Sequence, residues 1–119
     1  MPEPAVATIE VKSNIVVIRA LVESFDEDNV RRFQGEVRTA SSANAGLPVV
    51  LDLAKVNFMP SMSLAALIRL TTEFRGSKQR LVLAGLQPQV REVFVLTRLD
   101  RLFEIQDDVA AAFQAVGLT

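Results

Sequence analysis

Short apolar runs rich in valine, isoleucine and leucine alternate along this chain with longer segments in which apolar residues recur every three or four positions. The first pattern is typical of strands, and the second is typical of helices that bury one face. Two strand-like runs, at 8–11 and 15–18, flank the pair Ser13-Asn14, which predicts an opening β-hairpin. After the hairpin, strands alternate with helices, so right-handed crossovers and a mostly parallel sheet are expected. The predicted order is ββαβαβαβα, a single α/β domain.

The boundaries of the helices follow from acidic, serine or proline residues at the starts and from glycine at the end. Asp26 opens the first helix, the second starts near Ser61 and stops at Gly76, and the third opens at Pro88. Residues 41–46 are small and polar and predict a loop, and residues 102–105 predict a short strand. A core is expected between the sheet and the helices, with Thr97 also facing inward on the third helix. The predicted members of this core are Leu51, Leu53, Leu64, Leu67, Ile68, Leu83, Val93 and Phe94.

The length of 119 residues suits one domain with a substantial core, and half of the residues are hydrophobic. Two prolines among the first four residues predict a flexible leader at 1–4, followed by one domain over 5–119. The sequence has no signal-peptide pattern and no uncharged apolar stretch of membrane-spanning length. We therefore expect a cytoplasmic protein with no membrane contact.

The absence of histidine and cysteine constrains function. It removes the usual neutral-pH base, every Ser-His-Asp arrangement, thiolate nucleophiles and the commonest zinc ligands. A net charge of −1 without a basic stripe argues against nucleic-acid binding. No catalytic residue, metal site or cofactor is predicted, and Asp52 is expected to hold a loop through backbone hydrogen bonds. An enzyme is the least expected class.

Residues 49–64 carry a resemblance to a known family. Val-Val-Leu-Asp-Leu at 49–53, Val-Asn-Phe-Met at 56–59 and Pro-Ser-Met-Ser-Leu at 60–64 resemble the central signature of STAS domains. That signature is an apolar strand ending in Asp-Leu, a short loop, and an Asp-Ser-Ser/Thr-Gly-Leu element that opens a helix. Residues 90–105 are similar to the closing helix, turn and last strand of the family. Pro60, Ser63 and Arg98 depart from it, standing where the family has Asp, Gly and Gly.

The resemblance implies an anti-sigma factor antagonist. In that branch the dephosphorylated protein binds an anti-sigma factor, a serine protein kinase of the histidine-kinase-like ATPase type, and so frees a sigma factor. The kinase phosphorylates a serine at the start of the helix, which corresponds to Ser61, and a PP2C-type phosphatase removes the phosphate. The expected partner-binding residues are Pro60, Ser61, Met62, Ala65 and Arg69, in a monomer or weak dimer.

Ser61 also has a plainer interpretation, as a helix N-cap that stabilises the helix by about 1 kcal/mol over alanine. Both roles are compatible. The family also suggests two other functions without phosphorylation, as a scaffold subunit of a stress-signalling assembly or as a subunit of a transport system. A very large particle after purification would indicate the scaffold, and co-purification with membrane components would indicate the transport subunit.

Overall fold

The computed structural model describes residues 4–117, which form one five-stranded sheet and four α-helices. The strands are β1 (Ala7–Lys12), β2 (Ile15–Ala20), β3 (Val49–Asp52), β4 (Leu81–Ala84) and β5 (Glu104–Gln106). They lie side by side in chain order; β1 is antiparallel to β2, and the others are parallel. The predicted fold class and element order are confirmed.

Each helix follows a strand; the first three join parallel strands as crossovers, and the fourth follows β5. They are α1 (Glu27–Ala43), α2 (Ser61–Gly76), α3 (Pro88–Leu96) and α4 (Val109–Gly117), with a 3₁₀ turn at Leu99–Arg101. Asp26 caps α1, because its carboxylate accepts a hydrogen bond from the backbone N–H of Asn29 at 2.9 Å. Asp108 accepts in the same way from the N–H of Ala111 at 2.7 Å.

The opening hairpin closes through a two-residue turn. Ser13 and Asn14 both have positive φ, 53° and 61°, as the type I′ turn requires at its two central positions. Lys12 and Ile15 then pair directly, and the register continues to Ala7 and Ala20. This turn matches the right-handed twist of the two strands, so the sequence prediction had a physical basis.

The two faces of the sheet are covered differently. Ile18, Leu51 and Leu83 point to the face that packs in one hydrophobic cluster with side chains of α1, α2 and α3. Val17, Val50 and Val82 point to the other face, where Ala112 and Val116 of α4 cover them. Because β3 is buried on both faces, its sequence is a continuous apolar run ending in Asp52.

The predicted core is largely correct, with Val93 as the error. Leu51, Leu53, Leu64, Leu67, Leu83 and Phe94 are buried, and Ile68 is partly buried against them. Val93 keeps 36% of its surface exposed, and Thr97 is also exposed. The nine-residue helix α3 buries only Val90 and Phe94, and Phe94 packs edge-on against Phe103 with ring centroids 5.3 Å apart.

Two other boundaries differ from the prediction. Helix α1 continues through Ser41 and Ser42, and the Ser41 hydroxyl donates to the carbonyl of Arg38 within the helix. The last strand begins at Glu104 rather than Leu102, because the N–H of Leu102 closes the preceding 3₁₀ turn. Residues 1–3 of the predicted leader lie outside the described residues.

Candidate partner-binding site

The loop between β3 and α2 is fixed at its start by Asp52. One carboxylate oxygen accepts from the backbone N–H of Ala54 at 3.1 Å, and the other accepts from Nε of Arg19 at 3.0 Å. The N–H of Leu53 also donates to the carbonyl of Ala84 in the next strand. Asp52 therefore holds the loop, as predicted, and the loop leaves the sheet in a defined direction.

The second half of this loop pairs with the segment that precedes α1. The N–H of Asn57 donates to the carbonyl of Glu23 at 2.7 Å, and the N–H of Phe25 donates to the carbonyl of Phe58 at 2.9 Å. Phe25, Val56 and Met59 are buried beneath the loop. The Phe58 side chain, in contrast, is 56% exposed, so a rigidly held loop presents an aromatic ring to solvent.

Helix α2 begins with an unusual cap. Pro60 occupies the N-cap position with extended backbone angles and provides no side-chain hydrogen bond. Its carbonyl accepts from the N–H of Ser63 at 2.9 Å, from the Ser63 hydroxyl at 2.6 Å and from the N–H of Leu64 at 3.3 Å. Ser61 is thus the first helical residue, and the interpretation of Ser61 as the N-cap is wrong.

The two serines of this turn differ in accessibility. Ser61 is exposed, whereas Ser63 has no exposed surface and its hydroxyl is bonded to the Pro60 carbonyl. A protein that approaches this turn therefore meets the hydroxyl of Ser61 and not that of Ser63. At this position, where the resemblance leads one to expect glycine, serine is accommodated because its hydroxyl folds back onto the Pro60 carbonyl at the helix start.

The structure brings the predicted partner-binding residues together on one surface, which we call the α2 surface. Met62 is 44% exposed, Ser61, Ala65 and Arg69 are exposed, and Pro60 is half-buried at the edge. Leu64, Leu67 and Leu70 lie on the opposite side of the helix, in the core. Exposed methionine suits protein contacts because its flexible thioether adapts to different surfaces.

Sequence reasoning missed two contributions to this region. Phe58 lies in a loop whose sequence has no helical or strand periodicity, so the direction of its side chain could not be predicted. The structure shows that Phe58 pairs with Ser24 through the backbone and that its ring is exposed. The other contribution is a groove of about 210 Å³ between α1 and α2, which begins beside Met62. It is lined by Glu27, Val30, Arg31, Gln34, Met62, Ala66 and Arg69.

Contacts between α1 and α2 hold this surface in place. The side-chain amide of Gln34 is buried and donates to the carbonyl of Ala66 at 3.1 Å. Further along, the Arg38 guanidinium binds both carboxylate oxygens of Glu73, each at 2.9 Å. This hydrogen-bonded pairing lowers the pKa of Glu73 and raises the pKa of Arg38.

Charge near the start of α2 is limited. Its first turn contains no acidic residue, and the backbone N–H groups at a helix start favour negative charge. A phosphate or a carboxylate introduced at the exposed Ser61 would therefore be compatible with the fold. Within residues 4–117, no helix is both long enough and apolar enough to cross a membrane.

Residues 7–112 match the STAS domain family, and this chain belongs to that family. The match includes all five strands and α1, α2 and α3. The loop and helix start described above therefore lie within the family's domain.

Comparisons with individual proteins agree with this assignment. BtrV of Bordetella bronchiseptica, which is named as an anti-sigma factor antagonist, is 33% identical over 69 residues, or 56% of this chain and 60% of BtrV. A STAS domain protein from Planctomyces limnophilus, also described as an anti-sigma-factor antagonist, has a TM-score of 0.82 at 19% identity, covering 93% of this chain and 97% of that one.

A third similar protein has been solved in two states. The anti-sigma factor antagonist SpoIIAA in its unphosphorylated form has a TM-score of 0.73 at 23% identity, covering 95% of this chain and 98% of that one. SpoIIAA of Bacillus in the phosphorylated form has a TM-score of 0.67 at 22% identity, covering 92% and 98%. At these identities the solved structures establish a shared fold.

Proposed function

We propose that this protein is a cytoplasmic anti-sigma factor antagonist that binds a serine-kinase anti-sigma factor through the α2 surface and is released when Ser61 is phosphorylated. The kinase would be of the histidine-kinase-like ATPase type, and a PP2C-type phosphatase would restore binding. The observation that carries the proposal is the exposed hydroxyl of Ser61 at the first position of α2, beside the exposed Met62. The name of BtrV and the two states of SpoIIAA support the same role.

The local structure supports a switch that leaves the fold intact. Phosphorylation adds a charge of about −1.5 to −2. At Ser61 that charge would face solvent and the amino end of a helix, where it is tolerated. A partner seated over Met62 and Ser61 would instead have to remove water from the phosphate, which is costly. The free protein would therefore remain folded while its affinity for the partner falls.

The test begins with a pull-down from native cytosol and identification of the captured proteins by mass spectrometry. A histidine-kinase-like ATPase is the expected partner, and binding of the purified pair is then measured by calorimetry. Met62→Lys is expected to leave stability within about 0.5 kcal/mol of wild type and to weaken binding about tenfold or more, because it places a charge on the contact surface.

Val95→Lys is the matched control, since Val95 is also an exposed apolar helical residue, 52% exposed, but lies on α3. It should bind like wild type. Equal binding by wild type and the Met62 variant would exclude the α2 surface as the interface. A protein that instead purifies as a very large particle or with membrane components would contradict the proposed switch.

A further inference from the structure

The groove between α1 and α2 has an electrostatic feature that the α2 surface alone does not explain. Met62, Ala66, Arg69 and Glu73 follow one another along the side of α2 that faces α1. Glu73 is four residues beyond Arg69, which is the spacing of a helical ion pair. Arg38 of α1 already binds both oxygens of Glu73. Among residues 4–117 no ion pair is found for Arg69, so its exposed guanidinium is available.

The walls of the groove combine charge with apolar surface. Among the lining residues Val30 and Ala66 are buried and apolar, whereas Met62 is 44% exposed. Arg31 lies on the α1 side of the groove. Its charge is offset by Glu27, whose Oε1 lies 3.0 Å from Nη2 of Arg31. The remaining unbalanced charge is that of Arg69. A complementary ligand is therefore apolar where it meets Val30 and Ala66 and negative where it meets Arg69.

The size of the groove indicates what kind of ligand fits. Its volume of about 210 Å³ is below the roughly 300–1,000 Å³ typical of small-molecule sites. It is open and continuous with the α2 surface through Met62 and Arg69, which belong to both. These properties suit one or two side chains of a protein that is already bound to the α2 surface.

We propose that the α1–α2 groove is a second docking site for the protein that binds the α2 surface, and that it receives an acidic, partly apolar segment. This inference rests on the proposed function and adds the chemistry of the partner. A leucine-like side chain packs over Val30 and Ala66, and a neighbouring carboxylate pairs with Arg69. The groove also gives the phosphate a direct electrostatic role, since phosphoserine at position 61, next to Met62, would repel an acidic segment.

The test uses two synthetic peptides of equal length, with leucine at the same helical spacing and either glutamate or lysine at every polar position. Each is titrated into the ¹⁵N-labelled full chain, and backbone amide shifts are recorded. The glutamate peptide should shift the amides around Val30, Gln34 and Ala66 and should bind less tightly as salt is raised. Equal binding of the lysine peptide, shifts confined to another surface, or no binding of the glutamate peptide would overturn the proposal.

Two charge-reversal variants locate the interaction. Arg69→Glu should weaken binding of the glutamate peptide about tenfold or more, because attraction becomes repulsion. Lys12→Glu makes the same change in net charge on β1, on the sheet face that carries α4, and should bind like wild type. Loss of binding in both variants would indicate a nonspecific charge effect and would reject the groove.

The same variants separate this inference from the proposed function. If the kinase partner binds Arg69→Glu as tightly as wild type but loses affinity for Met62→Lys, the groove is rejected and the antagonist function stands. If no kinase binds, the antagonist function fails, whereas the peptide titration still reports on the groove itself.

Discussion

Replacing Leu67 with alanine tests how α2 is anchored beneath the partner surface. Leu67 has no exposed surface and lies in the cluster formed between the sheet and α1, α2 and α3. The substitution removes three buried carbon atoms, which at about 0.8 kcal/mol each gives roughly 2.4 kcal/mol of lost transfer free energy. The cavity left behind adds to this value, so we expect the free energy of unfolding to fall by about 2–5 kcal/mol.

The measurement is urea unfolding followed by circular dichroism, with the denaturant slope required to match wild type. Leu96→Ala is the matched control, because Leu96 is 74% exposed and the same atoms are removed from a solvated site. Its effect should stay within about 0.5 kcal/mol. A loss below about 1 kcal/mol for Leu67→Ala would show that the assigned inner face of α2 is wrong.

Three further predictions concern the helix start and its supports. Pro60→Asp should stabilise the protein by about 1 kcal/mol in urea unfolding, because a carboxylate at the N-cap can accept from the first-turn N–H groups; no gain would contradict the N-cap assignment. Ser63→Asp should lower the free energy of unfolding by more than about 2 kcal/mol because it buries a charge. Ser61→Asp should not lower it, because the carboxylate there is exposed at a helix start. Equal effects of the two variants would contradict the different burial of the two serines. Arg38→Gln should cost about 0.2–1 kcal/mol at neutral pH. Arg38 lowers the folded-state pKa of Glu73, so the stabilisation by this ion pair is fully present above the unfolded pKa of glutamate, near 4.3. The stabilisation should vanish as pH falls through the depressed pKa of Glu73. If Arg38→Gln still lowers the free energy of unfolding at low pH, the ion pair is not the source of the loss.

The sequence predicted the architecture well because its signals were local and periodic. The two-residue turn at Ser13 and Asn14, the continuous apolar β3 and the leucine stripe of α2 each follow from residue type and spacing alone. The alternation of strands and helices after the hairpin then predicted a mostly parallel sheet. The structure adds that the strands lie side by side in chain order.

Where the prediction failed, the sequence pattern allowed more than one solution. Val93 and Phe94 are three and four residues beyond Val90, so helical spacing allowed both to face the core. In the structure Phe94 is buried and packs against Phe103, whereas Val93 is exposed. At the start of α2, proline and serine are both acceptable at a helix start. The choice of Pro60 as the N-cap depends on the three hydrogen bonds that its carbonyl accepts.

The candidate site was predictable in position but not in extent. The resemblance at 60–64 pointed to Ser61, and helical spacing placed Met62, Ala65 and Arg69 on one exposed side. The contribution of α1 could not be predicted, because it depends on how two helices pack. The sequence also could not predict that Arg69 is left without an ion pair among the described residues. Its helical neighbour Glu73 is bound instead by Arg38, which lies 35 residues earlier in the chain.

The most direct test of the switch is to incubate the wild-type protein with its purified kinase partner and ATP, and then to map phosphate by mass spectrometry while binding is followed by calorimetry. We predict phosphate on Ser61, none on the buried Ser63, and loss of binding in the phosphorylated protein. Ser61→Ala should bind and remain unmodified. An unmodified wild-type protein in the presence of a kinase that is active on another substrate, or phosphorylated protein that still binds with full affinity, would contradict the switch.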